Sequence, residues 1–158
     1  MKLVILDRDG TINADRDDYV KSSAEWLPLP GALEAIARLN QAGWHVVVAT
    51  NQSGIGRGLF DMETLNAMHS KMHSLLAAVG GRVDAVFFCP HTPADACDCR
   101  KPAAGLFHRI GERYGIDLRF WESVCRFWGP SICPRVKARA WCCWSSTSPR
   151  WRLFCCPR

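Results

Sequence analysis

Four consecutive aliphatics, Leu3-Val4-Ile5-Leu6, stop abruptly on two carboxylates one residue apart, Asp7 and Asp9, followed by Gly10 and Thr11. No other feature constrains the fold as tightly. An unbroken aliphatic run suits a strand covered on both faces, as in a parallel sheet. Asp7 then stands at the carboxyl end of that strand, where open α/β sheets place their ligands. Gly10 lets the backbone bend sharply after Asp9. Two acids held this close repel unless a cation lies between them or one carries a proton. Mg²⁺ together with a phosphate ester suits that arrangement.

The rest of the chain alternates in the manner of βαβ units. Pro30-Gly31 precedes a helix over 32–42, with Leu33, Ile36 and Leu39 at helical spacing and Gly43 as its stop. Residues 44–50 (WHVVVAT) form a second apolar strand. Asp61 caps a helix whose stripe is Leu65, Met68, Met72, Leu75 and Val79. Residues 83–88 form a third strand, and 103–114 a third helix ending at Gly115. His69 and His73 stand four apart on the second helix, a metal-capable spacing, but with no third ligand they read as its partly exposed flank. The stretch Gly54-Ile55-Gly56-Arg57-Gly58 lacks the Gly-Lys-Thr of a nucleotide loop and reads as a flexible substrate loop.

Two further clusters carry chemistry. Cys89-Pro90-His91 and Cys97-Asp98-Cys99 place four soft ligands within eleven residues. A closed Cys₃His set suits structural Zn²⁺. No targeting segment or membrane span is visible, which points to the cytoplasm, where thiols stay reduced and such cysteines hold metal rather than disulfides. Arg100-Lys101-Pro102 follows at once, a basic pair at the start of the third helix.

Asp-x-Asp-Gly-Thr behind an apolar strand resembles the haloacid dehalogenase (HAD) superfamily of phosphohydrolases. The resemblance implies a HAD-like, Rossmannoid parallel sheet with helices on both faces. It implies Asp7 as nucleophile, Asp9 as general acid and base, and Mg²⁺ held by the Asp7 carboxylate and the Asp9 carbonyl. Thr50 and Lys101 would steady the phosphoryl group. The set LDRDGTIN, ATNQSGIGRG, FFCPH and CDCRKP is more specifically similar to the zinc-containing heptose 1,7-bisphosphate 7-phosphatases of lipopolysaccharide synthesis. Zinc-loop phosphatases acting on histidinol phosphate are the runner-up. From this nearer likeness Arg8, Asp15, Arg16, Asp18, Tyr19, Asn51, Gln52, Ser53 and Arg100 would contact a small phosphorylated sugar. Zn²⁺ would sit on Cys89, His91, Cys97 and Cys99. The expected protein is a monomer that engages neither nucleic acid nor membrane.

The likeness covers about residues 1 to 120 and then breaks. All 15 acidic residues lie at or before Glu122, whereas the segment from Arg126 onward has seven Lys or Arg and no acid. The superfamily's fourth strand should end in Val-Gly-Asp about 25 residues after Lys101, and its Asp should complete the Mg²⁺ shell. This chain has Arg126-Phe127-Trp128-Gly129-Pro130-Ser131 there. Six of nine Cys and four of seven Trp lie after Ser123, without a clear helical or strand period. That composition is typical of a GC-rich gene read out of frame. The chain therefore divides into a phosphatase domain at 1–123, with its zinc loop at 89–99, and a tail at 124–158 that is atypical or disordered. A frameshift near residue 124 accounts for the tail. Loss of the carboxylate would leave either a weakened phosphatase or a catalytically dead, zinc-stabilised remnant that binds phosphorylated sugar. Loss of the strand would expose apolar sheet edges.

Overall fold

The computed structural model describes residues 1–116, together with the backbone of two strands at 140–145 and 148–155. Three parallel strands form its centre: β1 (Lys2–Leu6), β2 (Trp44–Asn51) and β3 (Ala85–Cys89). β1 pairs with β2 from Lys2↔Trp44 to Leu6↔Val48. β2 pairs with β3 from Val47↔Ala85 to Asn51↔Cys89. This register brings the end of β1, the end of β2 and Cys89 to one edge of the sheet.

Alternation along the strands divides the core into two layers. Val4, Leu6, Val46 and Val48 face one side, against Leu33 and Ile36 of α1 (Ala32–Gln41) and Leu65, Met68, Met72 and Leu76 of α3 (Met62–Ala78). Leu3, Ile5, Val47 and Ala49 face the other, against Leu106, Phe107 and Ile110 of α4 (Gly105–Tyr114). Both faces are covered, as the aliphatic runs require. The α3 stripe differs from the expected one at its C-terminal end. Leu76 is fully buried with Leu75 partly buried beside it, whereas Val79 is exposed because the helix ends at Ala78 and Val79 is only its C-cap. Asp61 caps α3 as expected, accepting from the Thr64 backbone N–H at 2.8 Å.

Two local expectations are corrected. Residues Ser53–Gly56 form a single helical turn, α2, not a flexible loop. It is closed by Arg57 N–H donating to Ser53 O and fastened to the loop after β3 by Gly56 N–H donating to Pro90 O at 3.0 Å. The third helix starts at Gly105 instead of residue 103, since the Gly105 amide is directed to Asp98 O.

The tail sequence shows no strand period, yet β4 (Ala140–Ser145) and β5 (Ser148–Cys155) complete a five-stranded sheet in the order β3-β2-β1-β4-β5. Both pairings are antiparallel, and β4 covers the β1 edge from Lys2↔Ser145 to Ile5↔Cys142. The β1 edge is therefore hydrogen-bonded, contrary to the exposed edge expected. The segment 126–131, where the fourth strand's Asp was sought, lies outside the described residues.

Candidate active site

Asp7 follows β1 directly, at the strand end where the sequence places it. Its Oδ2 lies 2.7 Å from Lys101 Nζ, and its Oδ1 accepts from the Arg8 backbone N–H at 2.8 Å. The lysine also donates to Ala49 O at 2.8 Å, which holds the ammonium against the end of β2. Asp7 is about a third exposed, so a ligand can reach it. A carboxylate oriented by an ammonium and open on one side can serve as a nucleophile toward an anionic electrophile.

The loop after Asp7 folds back on a single carbonyl. Arg8 O accepts from the amides of Thr11, Ile12 and Asn13, and Gly10 adopts a left-handed φ of 72°. That turn aims the Asp9 side chain inward. Its Oδ1 accepts from Arg8 Nε at 3.1 Å, Arg8 Nη2 at 3.0 Å and Asn13 Nδ2 at 2.9 Å. Its Oδ2 accepts from Gln52 Nε2 at 2.7 Å. Arg8 and Gln52 are expected at the substrate by resemblance. They are 1% and 4% exposed and direct their donors at Asp9. Asn13, fully buried, joins them and was missed, because nothing in an isolated Ile-Asn dipeptide marks it.

At the end of β2 the residues divide their tasks. Thr50 is buried, and its Oγ1 accepts from Gln52 Nε2 at 2.9 Å. Asn51 closes on the Lys101 backbone with both ends of its amide: Nδ2 donates to Lys101 O at 3.0 Å, and Oδ1 accepts from Lys101 N–H at 2.9 Å. Ser53 opens α2 and is buried.

The loop at 14–30 brings Asp15 against Gly10; a Cβ on Gly10 would lie 3.5 Å from Asp15 Cβ. Arg16 and Asp18 pair with each other at 2.9 Å, and Lys21 reaches Asp18 at 2.8 Å, all on the surface. These two cations hold the Asp18 carboxyl well below the usual carboxylate range. Tyr19 takes a left-handed φ of 68°, with the Arg57 guanidinium 6.0 Å over its ring. Arg57 belongs beside the expected residues; its glycine-flanked position masked it in the sequence.

Cys89, His91, Cys97 and Cys99 present four ligand atoms within 4.8 Å of one another. Cys89 Sγ lies 3.2 Å from Cys99 Sγ and 3.6 Å from Cys97 Sγ, while His91 Nδ1 lies 3.2 Å from Cys99 Sγ. Tetrahedral Zn–S bonds of about 2.3 Å would put sulfurs about 3.8 Å apart. The quartet is close to that spacing, its three cysteines are unbridged, and the set could hold a metal. Burial leads the causes that push the Cys89 thiol up to about 12, so only a cation would keep it ionised there. The loop is wired to the catalytic edge: Gln52 N–H donates to Cys89 O at 2.7 Å, and Arg100 Nη1 donates to His91 O at 3.2 Å. His69 Nε2 is buried without a partner among the described residues. Burial, then the Arg8 charge, lowers its pKa to about 4.

Comparison with known proteins agrees with this geometry. The family model described as polynucleotide kinase 3 phosphatase matches residues 2–135. The D-glycero-beta-D-manno-heptose-1,7-bisphosphate 7-phosphatase of Bordetella bronchiseptica is 63% identical over 118 residues, which are 75% of this chain and 66% of the relative. The Pseudomonas aeruginosa protein of the same name is 55% identical over 138 residues, or 87% of this chain and 75% of the relative. The chain thus spans about two thirds to three quarters of these curated relatives. A crystal structure of the D,D-heptose 1,7-bisphosphate phosphatase from B. bronchiseptica, complexed with magnesium and phosphate, superposes with a TM-score of 0.74 at 63% identity. It covers 75% of this chain and 66% of that one. The Burkholderia thailandensis enzyme superposes with a TM-score of 0.53 at 57% identity, covering 74% of this chain and 61% of that one. With the two-faced parallel sheet and more than half of the aligned residues held in common, the chain belongs to the family of HAD-like phosphatases that includes the heptose-1,7-bisphosphate 7-phosphatases.

Proposed function

We propose that this site is built to hydrolyse the 7-phosphate of D-glycero-D-manno-heptose 1,7-bisphosphate, in the making of lipopolysaccharide core heptose. The carrying observation is Asp7 held 2.7 Å from Lys101 Nζ, with Asp9 on the next turn. Asp7 attacks phosphorus and forms an aspartyl-phosphate, while Asp9 protonates the leaving sugar oxygen. Asp9 then takes a proton from the water that cleaves the intermediate. Lys101 neutralises phosphoryl charge, and Thr50 donates to a phosphoryl oxygen. The Asp7 carboxylate and the Asp9 carbonyl would hold Mg²⁺, which offsets the repulsion between Asp7 and a dianionic phosphate. The relatives' names favour the heptose substrate over histidinol phosphate.

Asp15, Arg16, Asp18, Tyr19, Ser53 and Arg100 line the substrate side in this reading, and the Cys₃His quartet carries structural Zn²⁺. Unbridged thiols suit a cytoplasmic protein. Residues 124–158 stand apart from the family pattern, which a change of reading frame near residue 124 explains. The 118-residue match to the Bordetella relative supports that boundary, whereas the 138-residue match to the Pseudomonas relative and the family model, to 135, run past it. One observation favours a second, narrower reading. The chain has no acid after Glu122, so it binds the sugar phosphate while turning it over poorly. Phosphate release from the heptose bisphosphate and from histidinol phosphate, each with Mg²⁺, tests both readings. Release from histidinol phosphate alone would overturn the first.

A further inference from the structure

Gln52 sits between the two functional ends of the site. Its Nε2 is 2.7 Å from Asp9 Oδ2 and 2.9 Å from Thr50 Oγ1, and its Oε1 is 2.9 Å from Arg8 Nη2. The polarity of this chain of contacts has one solution. A guanidinium only donates, so the amide oxygen must face Arg8. With the oxygen fixed there, the amide nitrogen faces Asp9 Oδ2, a carboxyl oxygen that accepts from it. The second hydrogen of that nitrogen then points at Thr50 Oγ1, which accepts it. A hydroxyl oxygen that accepts from one side turns its own proton to another. Gln52 is 4% exposed and Thr50 1%, so no bulk water competes for these positions.

We propose that Gln52 is a positioning residue that directs the Thr50 hydroxyl proton toward the transferring phosphoryl group, not a residue that touches the sugar. Its orientation is set by Arg8, and the nitrogen that turns Thr50 also holds Asp9. Phosphoryl clamp and proton-transfer group are thereby locked to one amide. The inference rests on the phosphatase reading of the site and deepens it.

The test is a double-mutant cycle on the full chain, reading inorganic phosphate affinity by titration calorimetry in the presence of Mg²⁺. Thr50→Val should weaken phosphate about tenfold or more, the value of a hydrogen bond to a charged group, and Thr50→Ser should restore most of the loss. Gln52→Met, close to isosteric, should weaken phosphate about three- to tenfold when Thr50 is present. The same change should have almost no effect once Thr50→Val has removed the hydroxyl. Gln52→Leu should repeat that pattern, and thermal melts identify any variant that has lost its fold. Equal effects of Gln52→Met with and without the Thr50→Val replacement would overturn the inference while leaving the phosphatase reading intact. An unaltered chain with no saturable phosphate binding would overturn the phosphatase reading, and this inference with it.

Discussion

Asp7 and Lys101 meet at 2.7 Å although 94 positions separate them in the chain. In the proposed reaction the ammonium would keep Asp7 oriented and then neutralise the charge that moves onto the phosphoryl oxygens. Asp7→Asn should therefore abolish turnover, measured on a chain whose tail supports activity. Lys101→Met should lower kcat about 10²–10³-fold, the usual cost of removing one charge-stabilising donor. His69 gives a pH prediction. Its ring is held neutral in the fold down to about pH 4, whereas the ordinary value is 6.5. A neutral buried ring contributes fully above pH 6.5, and its contribution is lost as pH falls toward 4, because there the unfolded chain binds the extra proton. After discounting for partial exposure, the loss is about 1–2 kcal/mol. Urea unfolding at pH 7 and pH 4.5 should show a smaller drop for His69→Leu than for the unaltered chain; an equal drop would contradict the assignment.

At the scale of elements, the Cys₃His loop and the edge that carries Asp7 and Asp9 form one unit. Cys89 ends β3, its carbonyl accepts from Gln52, and Arg100 and Lys101 lead from the loop through a turn at 102–104 into α4. Gly105 makes this close packing feasible, since a Cβ there would lie 2.6 Å from Asp98 O, a backbone atom that cannot simply step aside. Gly105→Ala should cost about 1–3 kcal/mol by overpacking and should also loosen the metal loop. Chemical denaturation with parallel elemental analysis would register both effects. The quartet predicts about one zinc per chain. Zinc content left unchanged by joint Cys97→Ser and Cys99→Ser replacement would refute that ligand set.

For the whole molecule, the decisive quantity is the distribution of charge along the chain. Acidic residues end at Glu122, so nothing later in these 158 residues adds a carboxylate to Asp7 and Asp9. A cation resting on one side chain, one carbonyl and water is weakly held. The chain as it stands should show little or no phosphatase activity despite an assembled nucleophile. Replacing residues 124–158 with the matching segment of the Pseudomonas aeruginosa relative should raise Mg²⁺-dependent turnover at least about 10²-fold. Equal rates in the two proteins would show that the present tail already supplies what the metal needs.

Much of this was legible in the linear chain because local rules govern it. Aliphatic runs at 3–6 and 46–48 dictate buried strands, Asp61 dictates a helix start, and paired Cys-x-His and Cys-x-Cys spacing dictates a ligand cluster, each through contacts only a few residues long. The structure alone decided the roles of the residues between. Arg8 and Gln52 look from sequence like polar groups for a substrate, but packing of β1 against β2 buries them and turns them onto Asp9. Asn51 likewise closes on Lys101, 50 positions away. Residue type decides which atoms can donate or accept, while which partner each atom meets depends on a strand register that no local rule encodes.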